Sequence, residues 1–151
     1  MAVAPETRGR GLGGWLFRQT LDRLAEDARR LVGPPPLGLF WEVERPQDAV
    51  DQAEHEMRER RIAFYRRSGG VVLEGVDFTA PPVGPGLAEV PFYLMFCPVQ
   101  GGSARVSDDL ARLIIETMLL EGYGVGRESE YYRRALASLA ERRRGSAGTG
   151  L

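Results

Sequence analysis

The sequence predicts an α/β fold with a mixed β-sheet flanked by helices, and three observations carry that prediction. Segments of helical period and of strand period alternate along the chain. Gly and Pro punctuate almost every boundary between them. One Pro/Gly-rich connection, after residue 78, joins two strand-like segments with no helix between, which adds an antiparallel edge to parallel neighbours.

Taken in order, the apolar stub Met1-Ala2-Val3-Ala4 reads as the last turn of a strand. A glycine-rich turn at 9–14 leads into a helix over 12–31, whose stripe of Phe17, Leu21, Leu24, Ala28 and Leu31 steps by four and three. Gly33 and the prolines at 34–36 stop it. Residues 37–44 read as a strand, with Leu37, Leu39, Trp41 and Val43 on one face and Phe40 on the other. A second helix runs over 48–67, with Val50, Ala53, Met57 and Phe64 as its stripe, and Ser68-Gly69-Gly70 closes it. Residues 71–78 and 90–99 are the two strands of a wide hairpin. The second carries Phe92, Leu94, Met95 and Phe96 on both faces, so it is internal to the sheet. Ser107 caps a helix over 108–122 whose inward residues are Leu110, Leu113, Ile114, Thr117 and Met118. The last helix, 128–144, carries Tyr132, Leu136 and Leu139, and 145–151 is a Gly/Ser-rich flexible tail. No repeat or linker divides the chain, so residues 1–144 form one domain.

Composition narrows the chemistry. The chain of 151 residues can bury one sizeable core. A net charge of −1 provides no global field to draw nucleic acid or an anionic membrane. No apolar run approaches the roughly 20 residues that span a bilayer, and no signal peptide opens the chain. The protein therefore reads as cytoplasmic, with neither nucleic acid nor membrane as a partner. All 20 basic residues are Arg, which removes Schiff-base catalysis and a phosphate-loop Lys. One Cys and one His fall short of the roughly four ligands of a structural zinc site, so no metal is expected. Phosphate must be held by Arg and backbone amides, and proton transfer falls to Tyr, Asp, Glu or His55.

The run Arg8-Gly9-Arg10-Gly11-Leu12-Gly13-Gly14 is suited to the first of these tasks. A turn feeding directly into a helix presents unpaired N–H groups at the positive end of the helix dipole. Glycines admit close approach and positive φ, and Arg8 and Arg10 add charge at the rim. A pyrophosphate is the natural guest. Gly9, Gly11 and Gly14 also fit the dinucleotide fingerprint G-x-G-x-x-G, which keeps a Rossmann-type nucleotide binder as an alternative. A helix-starting turn without a ligand is the plainer reading.

Two blocks together carry a resemblance. Residues 2–16, Ala-Val-Ala-Pro-Glu-Thr-Arg-Gly-Arg-Gly-Leu-Gly-Gly-Trp-Leu, resemble motif A of the GCN5-related N-acetyltransferases (GNAT), whose core Arg/Gln-x-x-Gly-x-Gly/Ala is met by Arg8, Gly11 and Gly13. Residues 60–70, Arg-Arg-Ile-Ala-Phe-Tyr-Arg-Arg-Ser-Gly-Gly, are similar to motif B, a helix ending in Phe-Tyr-x-x-x-Gly. The resemblance covers residues 1–99 and leaves the helices of 100–144 outside it.

The resemblance implies a GNAT-like acyl-CoA N-acyltransferase fold that uses acetyl-CoA. Val3 would line the pantetheine arm, and Arg8, Gly9, Arg10, Gly11, Leu12, Gly13 and Gly14 would hold the pyrophosphate. A primary amine, on a small molecule or a peptide, would attack the thioester directly in a ternary complex. Tyr65 stands where many members place the general acid that protonates the departing thiolate, a task suited to a phenol. Glu42 and Glu44 lie opposite Leu39 and Trp41 on their strand, and Glu44 is the candidate general base, with simple exposure at a strand end as its alternative. The chain departs from the family pattern in two respects. No Asn precedes Tyr65, where the sequence reads Glu56-Met57-Arg58-Glu59, so a cofactor contact is lost or replaced. The strands and helices that precede motif A in the family have no counterpart, which implies an N-terminally truncated domain or one completed by a homodimer or partner chain. A non-catalytic, CoA-binding or dimerising half-domain is the corresponding alternative. Of the remaining groups, His55 reads as a solvated surface residue and Cys97 as a buried inert thiol.

Overall fold

The computed structural model describes residues 11–34, 36–99 and 105–147. The expected stub at 1–4, the cofactor residues Val3, Arg8, Gly9 and Arg10, and residues 148–151 of the tail lie outside the described residues.

Helix α1 (Leu12–Leu31) begins at Gly11, whose φ of 75° lies in the left-handed region that Gly occupies without a Cβ penalty. It ends where the N–H groups of Val32 and Gly33 both donate to the Ala28 carbonyl oxygen. Strand β1 (Gly38–Glu44) follows, then a single 3₁₀ turn at Pro46–Asp48. Helix α2 (Gln52–Arg67) starts later than the pattern from residue 48 suggested. Asp51 is its cap: its carboxylate accepts from the Glu54 N–H at 2.8 Å, while Glu54 accepts from the Val50 N–H at 2.9 Å. The predicted single strand 71–78 is two short pieces, β2 (Val71–Val72) and β3 (Phe78–Ala80). Between them Gly75, at φ 75°, bends the chain out of the ladder. Strand β4 (Val90–Pro98) returns through the middle of the sheet.

Every described pairing is antiparallel. β1 pairs with β4 from Gly38↔Pro98 to Glu44↔Phe92. On its other side β4 pairs with β2 through Val71↔Phe96 and with β3 through Phe78↔Phe92. The parallel neighbours expected from the helix–strand alternation are therefore absent among the described residues. β1 and the β2–β3 lane do run in the same direction, with α2 as their crossover, but β4 is inserted between them. The expectation of an internal second hairpin strand holds.

The two faces of β4 sort the core. Leu94 and Phe96 point to one side, where Phe78 and Leu73 join residues of the C-terminal helices. Met95 and Cys97 point to the other, toward α1 and α2. On β1, Phe40 belongs to the first side and Leu39, Trp41 and Val43 to the second, as the strand period requires. Ser107 caps α3 (Asp108–Glu116), its hydroxyl accepting from the Leu110 N–H at 3.2 Å. A π-helical segment (Thr117–Gly122) and α4 (Glu130–Ala147) complete the chain. α4 thus extends past residue 144 into the segment expected to be a tail.

Three helical stripes differ from expectation. α1 buries Phe17, Leu21 and Ala25, one residue in four, and leaves Leu24 and Leu31 exposed. α2 buries only Ile62, while Val50 and Met57 are exposed. Its first half is held by polar bonds instead: Arg58 donates to the Arg45 carbonyl at 2.8 Å and to Glu54 at 2.7 Å. α3 buries Ala111, Ile114 and Ile115, with Leu119 following, while Leu113 is exposed. The widened turns after Thr117, where the Tyr123 N–H donates to the Met118 carbonyl at 2.9 Å, rotate later residues away from a 3.6-residue register.

Candidate functional site

The described part of the glycine turn is the start of α1. Gly11 is the N-cap and offers no side-chain bond, and no acidic residue stands in the first turn. Among the described residues, no side chain therefore caps the amides of Leu12, Gly13 and Gly14. Among the described residues, nothing lies within 4 Å of the place where Gly11 would carry a Cβ, and at Gly14 the nearest atom is Arg18 Nη2, 3.9 Å away. Arg18 lies one helical turn beyond Gly14, so its guanidinium flanks the same glycines. Arg8 and Arg10 were the cations expected at this rim. Arg18 was not among them, although its i, i+4 spacing from Gly14 is the signal that finds it.

Tyr65 lies near the end of α2, in an aromatic cluster beside α1. Its ring is 4.8 Å from that of Trp41, 5.7 Å from Phe17 and 5.2 Å from Phe64, centroid to centroid. Phe17 meets Trp41 edge-on at 5.6 Å. The cluster thus joins α1, β1 and the end of α2. A Cβ at Gly70 would stand 3.0 Å from the Tyr65 carbonyl oxygen and 3.2 Å from Trp41, so a larger residue here would have to push these neighbours back by a few tenths of an ångström. The buried indole N–H of Trp41 finds no acceptor among the described residues. An orphan donor of that kind costs roughly 1–3 kcal/mol.

The two strand carboxylates have separate partners. Glu44, the last residue of β1, accepts a hydrogen bond and ion pair from Arg61 of α2. It lies three positions beyond Trp41 on the strand, about 10 Å of rise. Glu44 and Tyr65 are not joined by any bond among the described residues. Glu42 faces the C-terminal helices, where the Tyr123 hydroxyl donates to its two oxygens at 2.8 and 3.0 Å. Burial raises the Glu42 carboxyl above its ordinary range, with the Tyr123 bond opposing it in part. Burial, and then the Glu42 bond and charge, raise the Tyr123 phenol in turn. Both strand carboxylates are thus engaged by other groups.

Cys97 is buried, and burial raises its thiol, which fits an inert core residue. His55 is half-buried rather than solvated. Its Nδ1 lies 2.9 Å from the Pro46 carbonyl oxygen, an acceptor only, so Nδ1 carries the proton and donates. Its Nε2 lies 3.5 Å from Glu59. Among the described residues no group of three or more His, Cys, Asp or Glu could hold a metal, and no helix is long and apolar enough to cross a membrane. Comparison with family models, with curated proteins and with solved structures yields no match for this chain.

Proposed function

We propose that this chain is a GNAT-like acyl-CoA-dependent N-acetyltransferase that moves an acetyl group from acetyl-CoA to a primary amine. The observation that carries the reading is the start of α1: a left-handed glycine, a first turn without acidic residues that no described side chain caps or covers, and Arg18 alongside. Such a turn fits an anion, because its amides and the helix dipole favour negative charge. The amides of Leu12, Gly13 and Gly14, with Arg18, would hold the diphosphate of the cofactor. Acetyl-CoA supplies the activated acetyl group when bound.

Further support comes from the β1–α2–β2 unit, which sets the Phe64-Tyr65 block beside α1 through Phe17. Tyr65 would hold the proton destined for the leaving sulfur at its phenolic oxygen. Glu44 is weaker as a base, because Arg61 already occupies its carboxylate. A second reading, a protein that binds CoA without turnover or pairs through a strand edge, is favoured by one observation. β1 has a strand partner on only one side among the described residues.

Parallel calorimetric titrations with CoA, acetyl-CoA and NAD test the reading. CoA and acetyl-CoA should bind and NAD should not. Binding of NAD alone refutes it, and CoA binding without turnover on a panel of amines selects the second reading. In an active protein, Tyr65→Phe should lower kcat by about 10²-fold, the lower end for loss of a general acid. An unchanged kcat removes Tyr65 from the chemistry.

A further inference from the structure

A groove of about 580 Å³ lies between α2 and the β2 side of the sheet. None of the glycine turn, Tyr65 or Glu44 lines it. Its volume falls in the range of small-molecule sites. Ile62, Ala63 and Val72 give it an apolar surface, and Ile62 is buried.

The charges along the groove decide what it can take. Arg66 is already compensated, its Nη2 lying 3.2 Å from Glu74. Glu59 has no guanidinium partner among the described residues; its neighbour is His55 Nε2 at 3.5 Å. The bond from Nδ1 to the Pro46 carbonyl fixes the His55 ring in place. With His55 neutral, Glu59, Glu74 and Arg66 leave the lining with one net negative charge. The Tyr93 hydroxyl is committed to Gln47, 3.1 Å away, so Tyr93 is anchored at the wall as an aromatic ring. A carboxylate beside an aromatic wall and an apolar floor attracts a cation with a hydrocarbon body and repels an anion.

We infer that this groove binds a small organic cation, an ammonium carried on a short apolar chain, with Glu59 as its counter-ion. The inference does not depend on the acetyl-transfer reading, since CoA has no part in the measurement.

The test uses the full chain at about pH 8. Hexylamine, hexanoate and hexanol are titrated while methyl resonances of Ile62, Ala63 and Val72 are followed by NMR. Hexylamine should shift those methyls at millimolar concentration and bind more tightly than hexanol, while hexanoate should not bind. Glu59→Gln, an exposed substitution that leaves the core intact, should weaken hexylamine by roughly two- to fivefold, the worth of one exposed charge pair. Glu74→Gln frees Arg66, makes the lining neutral, and should narrow the preference for hexylamine over hexanoate. Equal or tighter binding of hexanoate to the parent chain overturns the inference. So does an absence of methyl shifts with hexylamine, or a Glu59→Gln affinity equal to the parent's.

Discussion

At the scale of single residues, the pair most constrained by its surroundings is Glu42 with Tyr123. Glu42 accepts from Tyr123 and is held above its ordinary value of 4.5 by burial. The folded protein therefore keeps that proton to a higher pH than the unfolded chain does. The group's contribution favours folding below about pH 4.5 and is lost as pH climbs through the raised folded value. Glu116 acts with the opposite sign. The Tyr132 hydroxyl, 2.7 Å away, and then Arg127 pull its carboxyl below the ordinary 4.5. Its contribution is present above that value and lost as pH falls through the lowered one. Glu42→Gln should consequently raise Tm more at about pH 7 than at about pH 4, because it removes the proton linkage while leaving an oxygen for Tyr123 to donate to. An equal change in Tm at both pH values would show that the linkage lies elsewhere. Tyr123→Phe removes the hydroxyl that donates to Glu42 and should cost about 1–3 kcal/mol at neutral pH, read from chemical denaturation.

At the scale of elements, two glycines test what the fold asks of its turns. Gly11 sits at φ 75° with no described atom within 4 Å of the place a Cβ would take, so Gly11→Ala should meet mainly backbone strain, roughly 1–2 kcal/mol. Gly70 has an ordinary φ but stands against Tyr65 and Trp41, so Gly70→Ala must push the aromatic cluster apart and should cost about 1–3 kcal/mol. The two should also separate in binding. On the acetyl-CoA reading, Gly11→Ala lowers CoA affinity by more than its loss of stability accounts for. Equal affinity in the parent and in Gly11→Ala would remove the turn as the cradle.

The same scale shows what the sequence disclosed. Caps and stops were legible because one residue decides them: Gly11, Ser107 and Gly33 stand where their chemistry placed them. The internal strand was legible because both of its faces are apolar, and a strand with that property has to be covered twice. The α2 face was not legible, since Arg58 and His55 dock it through backbone carbonyls that no hydrophobic period reveals. The rotation after Thr117 was equally hidden, because a π-helical turn leaves no composition signal. Glu42 and Tyr123 lie 81 residues apart, and only the folded chain pairs them. In the candidate site, the glycine turn was legible as a helix start, but the engagement of Glu44 by Arg61 was not.

At the scale of the molecule, the two motifs that suggest a function lie in residues 1–99, yet the larger core is built with the helices beyond them. Val106, Ala111, Ile114, Ile115, Leu119, Tyr132, Ala135 and Leu139 cover one face of the sheet, over Leu94, Phe96 and Phe78. α4 is also tied to the bend after β2, where the Asp77 N–H donates to Ser138 at 2.8 Å. A chain ending at Val99 would expose five large buried side chains, Leu73, Val76, Phe78, Leu94 and Phe96. At about 1.5–3 kcal/mol each, that loss is roughly 7–15 kcal/mol, which equals the whole stability of an ordinary domain. The shortened chain should therefore show no cooperative unfolding transition in urea, and it should bind no CoA even though both motifs are intact. A sigmoidal transition with the m-value expected for its length would mean that α1, α2 and the sheet fold on their own. The C-terminal helices would then be a cover added to a self-sufficient unit, and the function would belong to residues 1–99 alone.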